Sequence, residues 1–297
     1  MKQNISLPTA AQKRKKLLRI KTSAGILIRL IFFILMPAAF SAGFNGVKSL
    51  VTLIGKGEPL NMNGFILTLI GLAGFTVLFG RFFCGYICAF GIFGDAVYTL
   101  SGLIQKKVFR RKKQISLPDK AVPLLQKIKY ILLFLIVILC AFDIYGSLKG
   151  YSPWDVFSKL TAFKLPDGEQ LIGIFLLIFI IIGMALQKRF FCQFFCPMGA
   201  VFALLPVMPF SAIRSHKESC LKGCSACRKN CPVCIKPGED SFRDGECIAC
   251  EKCMNICPKS NISRPTQRII KNEIVSLILR ALIFLAMGSF LGMCRFW

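Results

Sequence analysis

The sequence predicts an all-α polytopic membrane domain of four to five transmembrane helices with an internal tandem repeat, joined to a small α+β domain rich in cysteine. Long apolar runs alternate with short basic clusters in a 297-residue chain that is 55% hydrophobic, with net charge +25 and mean hydropathy +0.61. The pattern Arg-Phe-Phe-Cys-x3-Cys-x2-Gly occurs twice, at 81–91 and 189–199. Nine of the 15 cysteines crowd between Cys220 and Cys257. Basicity of this size can signal nucleic acid. Here the charge sits between apolar runs, as the positive-inside rule requires of an inner-membrane protein, so no nucleic-acid partner is expected.

The elements follow in order. Residues 1–22 form a basic tail, with Lys2, Lys13, Arg14, Lys15, Lys16, Arg19 and Lys21 and no acid. Such a tail stays cytoplasmic and can rest on anionic membrane lipid. The start is too basic and lacks a small-residue cleavage site for a signal peptide. The first span is expected over 24–44, matching the roughly 20 residues that cross a hydrocarbon core. An exterior loop over 48–63 leads to a second span over 64–80. A moderately apolar helix runs on to Ile104, and Lys106, Lys107, Arg110, Arg111, Lys112 and Lys113 mark the cytoplasm again. A third span is expected over 128–145, an exterior loop around Tyr151-Ser152-Pro153-Trp154-Asp155, and a fourth span over 171–186. A last span covers 274–293, its start interrupted by Glu273 and Arg280. The expected domains are therefore the tail at 1–22, a membrane domain at 23–210 with repeats at about 23–105 and 128–210, a cytoplasmic cysteine-rich domain at 211–263, and a C-terminal transmembrane helix at 264–297.

The run Cys247-Ile-Ala-Cys250-Glu-Lys-Cys253-Met-Asn-Ile-Cys257-Pro258 is C-x2-C-x2-C-x3-C-P, the pattern with which bacterial ferredoxins hold a [4Fe–4S] cluster. Three closely spaced cysteines wrap a loop around one face of a cubane, the fourth points away, and proline stops the helix. In two-cluster ferredoxins the fourth cysteine ligates the other cluster, so a second motif is expected nearby. Cys220, Cys224, Cys227, Cys231 and Pro232 supply it as C-x3-C-x2-C-x3-C-P, one residue longer in its first gap. Crossed ligation assigns Cys220, Cys224, Cys227 and Cys257 to one cluster, and Cys231, Cys247, Cys250 and Cys253 to the other. Cys234 is spare, and the long first gap leaves it open as a replacement for Cys220. The segment thus reads as a two-cluster ferredoxin-like domain. Four-cysteine zinc sites are the competing reading, but they pair cysteines two by two. Flanking basic residues place the segment in a reducing compartment, which disfavours disulfides.

Cys84/Cys88 and Cys192/Cys196 are spaced i, i+4, which on a helix puts both sulfurs of a pair on one face. Two pairs related by a repeat can converge to four thiolates, enough for a third iron–sulfur cluster or one metal ion. Two dithiol pairs are the alternative, and simple buried cysteines the plainer one. Arg81 and Arg189 lead the two copies, and Asp95 lies in the helix after the first. Ionisable groups at membrane depth are functional candidates, so Arg81, Asp95 and Arg189 form a candidate quinone or proton site, the arginines serving otherwise as interface anchors. Phe82, Phe83, Phe190, Phe191, Phe194 and Phe195 read as interfacial aromatics.

Several cofactors are excluded. His216 is the single histidine, so one chain cannot build a bis-histidine haem, and no C-x-x-C-H is present for covalent haem. No glycine motif of the dinucleotide or P-loop kind occurs, which argues against direct reaction with NADH.

Two R-F-F-C-x3-C copies on a multi-helix membrane domain, followed by two ferredoxin motifs, resemble the NapH/NosR-type family of membrane iron–sulfur proteins over about residues 64–263. The family pattern C-x3-C-P is met at Pro197, whereas the first copy has Ala89. The large extracytoplasmic flavin-binding domain of the NosR-like members has no counterpart here. The resemblance implies a membrane electron-transfer protein relaying electrons between a quinone/quinol pool and a partner redox protein, a reductase or a flavoprotein. On that basis two [4Fe–4S] clusters are the relay, the C-x3-C residues shape the membrane site, and a quinol dehydrogenase subunit is one form the activity takes. A maturation factor that reduces a metal or cofactor for another enzyme is the alternative, with a redox-sensing membrane anchor behind it. A transporter is disfavoured by spans poor in polar residues.

Overall fold

The computed structural model describes residues 10–59, 61–108, 121–146, 152–161, 170–215, 220–221, 223–235, 245–268, 270 and 272–294. Lys2, the basic residues 110–113, Tyr151 and His216 lie outside them.

The unbroken first span expected over 24–44 is two helices, α1 (Ala10–Leu35) and α2 (Ala39–Lys56), meeting at a 60° bend. Pro37 is the cause: it has no N–H to donate and disfavours helical geometry in the residue before it. The apolar pattern nevertheless resumes, and α2 runs through much of the stretch expected as a loop to a left-handed Gly57. Asn63 then caps α3 (Gly64–Phe79), its side chain accepting from the Ile66 N–H at 2.9 Å. A π-turn (Phe83–Ile87) leads into α4 (Ala89–Lys107).

Helices α5 (Val122–Leu125) and α6 (Ile128–Ala141) run on as one 20-residue apolar rod, beginning and ending earlier than the span expected over 128–145. The exterior loop expected around Trp154 is also helical: α7 (Pro153–Thr161) starts at a proline suited to a first turn and buries Trp154, Val156 and Phe157. It dips into the bundle until the Phe157 ring lies 3.9 Å, centroid to centroid, from that of Phe90. Helix α8 (Leu171–Leu186) has the expected limits. Short α9 (Phe190–Phe194) and α10 (Pro197–Leu204) follow.

In the cysteine-rich segment, β1 (Arg214–Ser215) pairs antiparallel with β2 (Ile262–Ser263), with Arg214 opposite Ser263. Two one-turn helices, α11 (Ala226–Lys229) and α12 (Lys252–Ile256), lie between them in sequence. Ile213, Met254, Cys257 and Ile262 form its own small core. The chain then returns as α13 (Glu273–Phe290), capped by the Asn272 side chain.

Among the described residues, Val122–Ala141 and Glu273–Phe290 suffice by length and apolarity to cross a membrane, and the bent α1/α2 pair adds a third if it counts as one broken span rather than a re-entrant loop. Helices α3 and α8 are apolar but only 16 residues long, short of the ~20 that span a bilayer core. Phe82, Phe83, Phe191 and Phe194 are not interfacial: each is at most 1% exposed. The main-chain turns that carry them fold back into the bundle, where Phe83 meets Phe202 and Phe284, and Phe191 meets Phe40 and Phe90.

Candidate metal and redox site

The two C-x3-C copies are not faces of regular helices. In the first, Cys84 lies in the π-turn, and the Cys88 N–H reaches back five residues to the Phe83 carbonyl at 2.8 Å. In the second, Cys192 lies in α9, and the Cys196 N–H reaches the Phe191 carbonyl at 2.9 Å. Both second cysteines then cap a new helix, α4 or α10. Each copy is thus a wide helical turn followed by a fresh helix start, as fits a motif that brings sulfurs and backbone into one compact bend. Ala89 and Pro197 occupy the same first helical position, which favours proline without requiring it. At Cys196 the Sγ also accepts from the Gly199 N–H at 3.1 Å. All four cysteines are buried, and they lie near enough for their charges to act on one another.

The two arginines cross between the copies. Arg189 donates to the Cys84 carbonyl at 2.6 Å and the Gly85 carbonyl at 3.3 Å, and grips Asp95 with two hydrogen bonds of 3.0 and 2.8 Å. Its guanidinium covers Gly91, the glycine that closes the first motif, where an added Cβ would stand 2.0 Å from Nη1. Arg81 mirrors it over Gly199, with 3.2 Å between Nη2 and an added Cβ. Arg81 also hydrogen-bonds Cys84 of its own copy and acts electrostatically on Cys196 of the other. Of the three residues expected to form one quinone or proton site, Arg189 and Asp95 are therefore joined as an ion pair. Arg81 instead turns to the cysteine-rich segment, donating to the Gly245 carbonyl at 2.8 Å and facing Glu246 at 3.5 Å.

The unequal glycine contacts make a direct comparison. Gly91→Ala is expected to cost about 1–3 kcal/mol, because the Arg189 guanidinium is pinned on its other side and has nowhere to move. Gly199→Ala should cost well under 1 kcal/mol, since a few tenths of an ångström suffice there. Thermal unfolding of the two variants in detergent measures the difference.

In the cysteine-rich segment, Cys231, Cys247, Cys250 and Cys253 line one enclosed cavity. Cys220 and Cys257 both approach Asn261, whose side-chain Nδ2 and backbone N–H point to their sulfurs at 4.0 and 3.4 Å. Cys220 and Cys224 act electrostatically on Cys227, and both are exposed. Cys234 stands apart, its Sγ accepting from Gln187 at 3.6 Å. The structure thus gathers Cys231, Cys247, Cys250 and Cys253, and gives Cys220 and Cys257 a shared neighbour in Asn261. Among the described residues no three of His, Cys, Asp or Glu converge on the point a single ion would occupy. A cubane seats each cysteine on a different iron and needs no such convergence.

The set around Cys231 and Cys247 rests on both membrane copies. At the residue after the first cysteine of each copy, the sequence has Gly85 in one and Gln193 in the other. Gly85 lets the Cys247–Cys250 loop come so close that an added Cβ would lie 2.4 Å from the Ile248 carbonyl oxygen. Tyr86 donates its hydroxyl to the Cys250 carbonyl at 3.3 Å. Gln193 donates to the Pro232 carbonyl, next to Cys231, at 3.0 Å. Two carboxylates beside the ligand loop complete the docking. Glu246 meets Lys129, Arg81 and the Tyr130 hydroxyl at 2.6 Å. Burial alone would lift its carboxyl, but the Arg81 and Lys129 charges hold it below the ordinary glutamate value. Glu251 is 3% exposed and faces Lys21 at 2.9 Å, Arg280 at 3.1 Å and Arg264 at 3.3 Å. Sequence reasoning missed both glutamates, Gly85 and Gln193. The scarcity of acids, 14 against 39 Lys and Arg, was the available signal for the glutamates.

A family model described as a 4Fe-4S binding domain matches residues 60–115 and 170–209, which contain the two C-x3-C copies. An uncharacterized protein of Methanocaldococcus jannaschii is 29% identical over 62% of this chain and 64% of its own length. The putative electron transport protein YccM of Escherichia coli is 28% identical over 65% of this chain and 53% of its own. The regulatory protein NosR of Stutzerimonas stutzeri is 25% identical over 61% of this chain and 25% of its own, so the chain spans a part only of these relatives. No solved structure matches. Apolar helices, duplicated cysteine turns and the matched 4Fe-4S model fit a membrane-associated, ferredoxin-type iron–sulfur protein. Within that class the chain is similar to proteins of the NapH/NosR type.

Proposed function

We propose that this protein relays electrons between a quinone/quinol pool and a partner redox protein from the inner membrane, by way of two [4Fe–4S] clusters and the paired membrane cysteines. The observation that carries the reading is the seating of one crossed cysteine set on both membrane copies at once, through Gly85 and Gln193. In this reading Cys231, Cys247, Cys250 and Cys253 hold the inner cluster, and Cys220, Cys224, Cys227 and Cys257 the outer one. Cys234, turned to Gln187, is not a ligand. Bound there, the clusters supply one-electron carriers whose potential follows local charge and exposure. The chain's residues do the rest. Exposed Cys220 and Cys224 leave the outer set open to a partner, and Glu246 and Glu251 fix the ligand loop against the membrane bundle. The buried Arg81 and Arg189 offset thiolate charge at Cys84, Cys88, Cys192 and Cys196, as suits a third metal or redox site.

Reoxidation followed by electron paramagnetic resonance tests this. The protein is purified without oxygen, reduced, freed of reductant and mixed with a menaquinone analogue. A comparison chain carries serine at Cys84, Cys88, Cys192 and Cys196, and its iron content is checked first. Fast loss of the reduced-cluster signal in the wild type alone is expected. Equally slow loss in both iron-loaded chains would remove quinone as the partner. The name of the NosR relative favours a second reading, a redox-sensing membrane anchor, which calls instead for slow turnover and a cluster-dependent change in a bound protein.

A further inference from the structure

A cavity of about 350 Å³ lies between α6, α7 and α8, within the size range of small-molecule sites. Leu135, Phe179 and Phe195 are among the apolar residues that wall it, and Leu135 and Phe179 are at least half exposed toward the surroundings of the bundle. One end is different. There Tyr145, Ser152 and Trp154 meet, with the Tyr145 hydroxyl close to the side chains of the other two. Trp154 is 6% exposed, and among the described residues its buried indole Nε1 has no acceptor at full hydrogen-bond geometry, the Tyr145 hydroxyl being the near one. An indole nitrogen can only donate, so a buried one calls for an acceptor.

The cavity also adjoins the cysteine turns and water. Phe195 immediately precedes Cys196. Trp154 packs on Phe44 with ring centroids 5.3 Å apart, Phe44 on Phe40, and Phe40 on both Phe90 and Phe191. Phe90 and Phe191 lie within two residues of Cys88 and Cys192. Tyr145 also lines a polar hollow of about 780 Å³ with Lys48, Asp143 and Asp155, so the polar end of the cavity borders a charged, water-accessible surface.

We infer that this cavity binds the head ring of a lipid-soluble quinone. A ring carbonyl accepts from Trp154 Nε1 and the Tyr145 hydroxyl, and the apolar tail lies along α6 and α8 toward lipid. The inference rests on the quinone relay reading and gives it a place. That place differs from Arg81, Asp95 and Arg189, whose charges already satisfy one another and the cysteine-rich segment. A phospholipid chain would fit the apolar walls but offers no flat acceptor to the indole.

The chain has two tryptophans, so Trp297→Phe leaves Trp154 as the single emitter. Titration of this full-length variant in nanodiscs with a short-chain menaquinone analogue is expected to quench its fluorescence saturably. Adding Tyr145→Phe removes one hydrogen bond and should weaken apparent binding by ~tenfold or less. Adding Leu135→Phe fills the cavity and should abolish saturation while leaving the unquenched emission and melting temperature in place. Non-saturating quenching, or saturable quenching that neither variant alters, overturns the site. The relay reading fails separately: saturable quenching without quinone-driven cluster reoxidation keeps the cavity and removes the relay. Reoxidation with non-saturating quenching does the reverse.

Discussion

Glu251→Gln is expected to lower the unfolding free energy by about 3–5 kcal/mol, the usual effect of removing one member of a buried ion cluster. The carboxylate is 3% exposed and lies within 3.3 Å of nitrogen atoms from Lys21, Arg264 and Arg280. A neutral amide leaves Arg264 and Arg280 without their carboxylate and Lys21 with Glu273 alone, in surroundings that water screens poorly. The effect is not confined to stability, because Glu251 lies between Cys250 and Cys253. Melting in detergent should therefore fall together with iron content. Adding Arg280→Met to the Glu251→Gln chain should recover part of the loss, since it withdraws one excess charge. If the second substitution makes the protein worse, packing rather than charge is what Glu251 supplies.

Arg189→Met should cost a similar ~3–5 kcal/mol. The methionine fills much of the space but abandons Asp95 and the carbonyls of Cys84 and Gly85. Arg29 and Lys252 still act on Asp95 electrostatically, but Arg29, at 3.8 Å, is too far for a good hydrogen bond. Arg189→Lys should be nearly as damaging, because a point charge on a flexible stem cannot replace a planar fork that serves a carboxylate and two carbonyls. Adding Asp95→Asn to Arg189→Met should restore about half the lost stability by neutralising the stranded acid. Unfolding measurements on the three variants decide this, and a fully tolerated Arg189→Lys would sink the crossed-arginine account.

These residues also mark what was legible in the sequence. Local patterns read well: the limits of α8 come directly from its apolar run, and the duplicated motif is visible because both copies are contiguous. The closeness of Cys231 to Cys247, Cys250 and Cys253 was likewise expected from spacing. The bend between α1 and α2 was signalled by Pro37, yet apolar residues on both sides made one span the simpler reading. Helix α7 was read as a loop because nine residues flanked by polar ones look like a surface segment until Phe90 and Phe44 are known to receive Phe157 and Trp154. Spacing i, i+4 suggested a regular helix at each cysteine pair, whereas the backbone opens into a wider turn there. Arg81 and Arg189 read as a quinone or proton site with Asp95, or as interface anchors, because their actual partners are distant in sequence: Asp95 is 94 residues from Arg189, and Gly245 is 164 from Arg81. Periodicity carries no information about such pairs.

The clasp on the cysteine-rich segment has a consequence for the order of events in synthesis. Glu251 is held by Lys21 from α1 and by Arg280 from α13, and Arg14 of α1 donates to the Pro258 carbonyl at 3.0 Å. One jaw is made long before the segment and the other after it. In a chain made N-terminus first, the Lys21 side of the clasp is therefore available to the segment before the Arg280 side. The segment is thus fastened to α1 and α13 together only once the last helix has arrived.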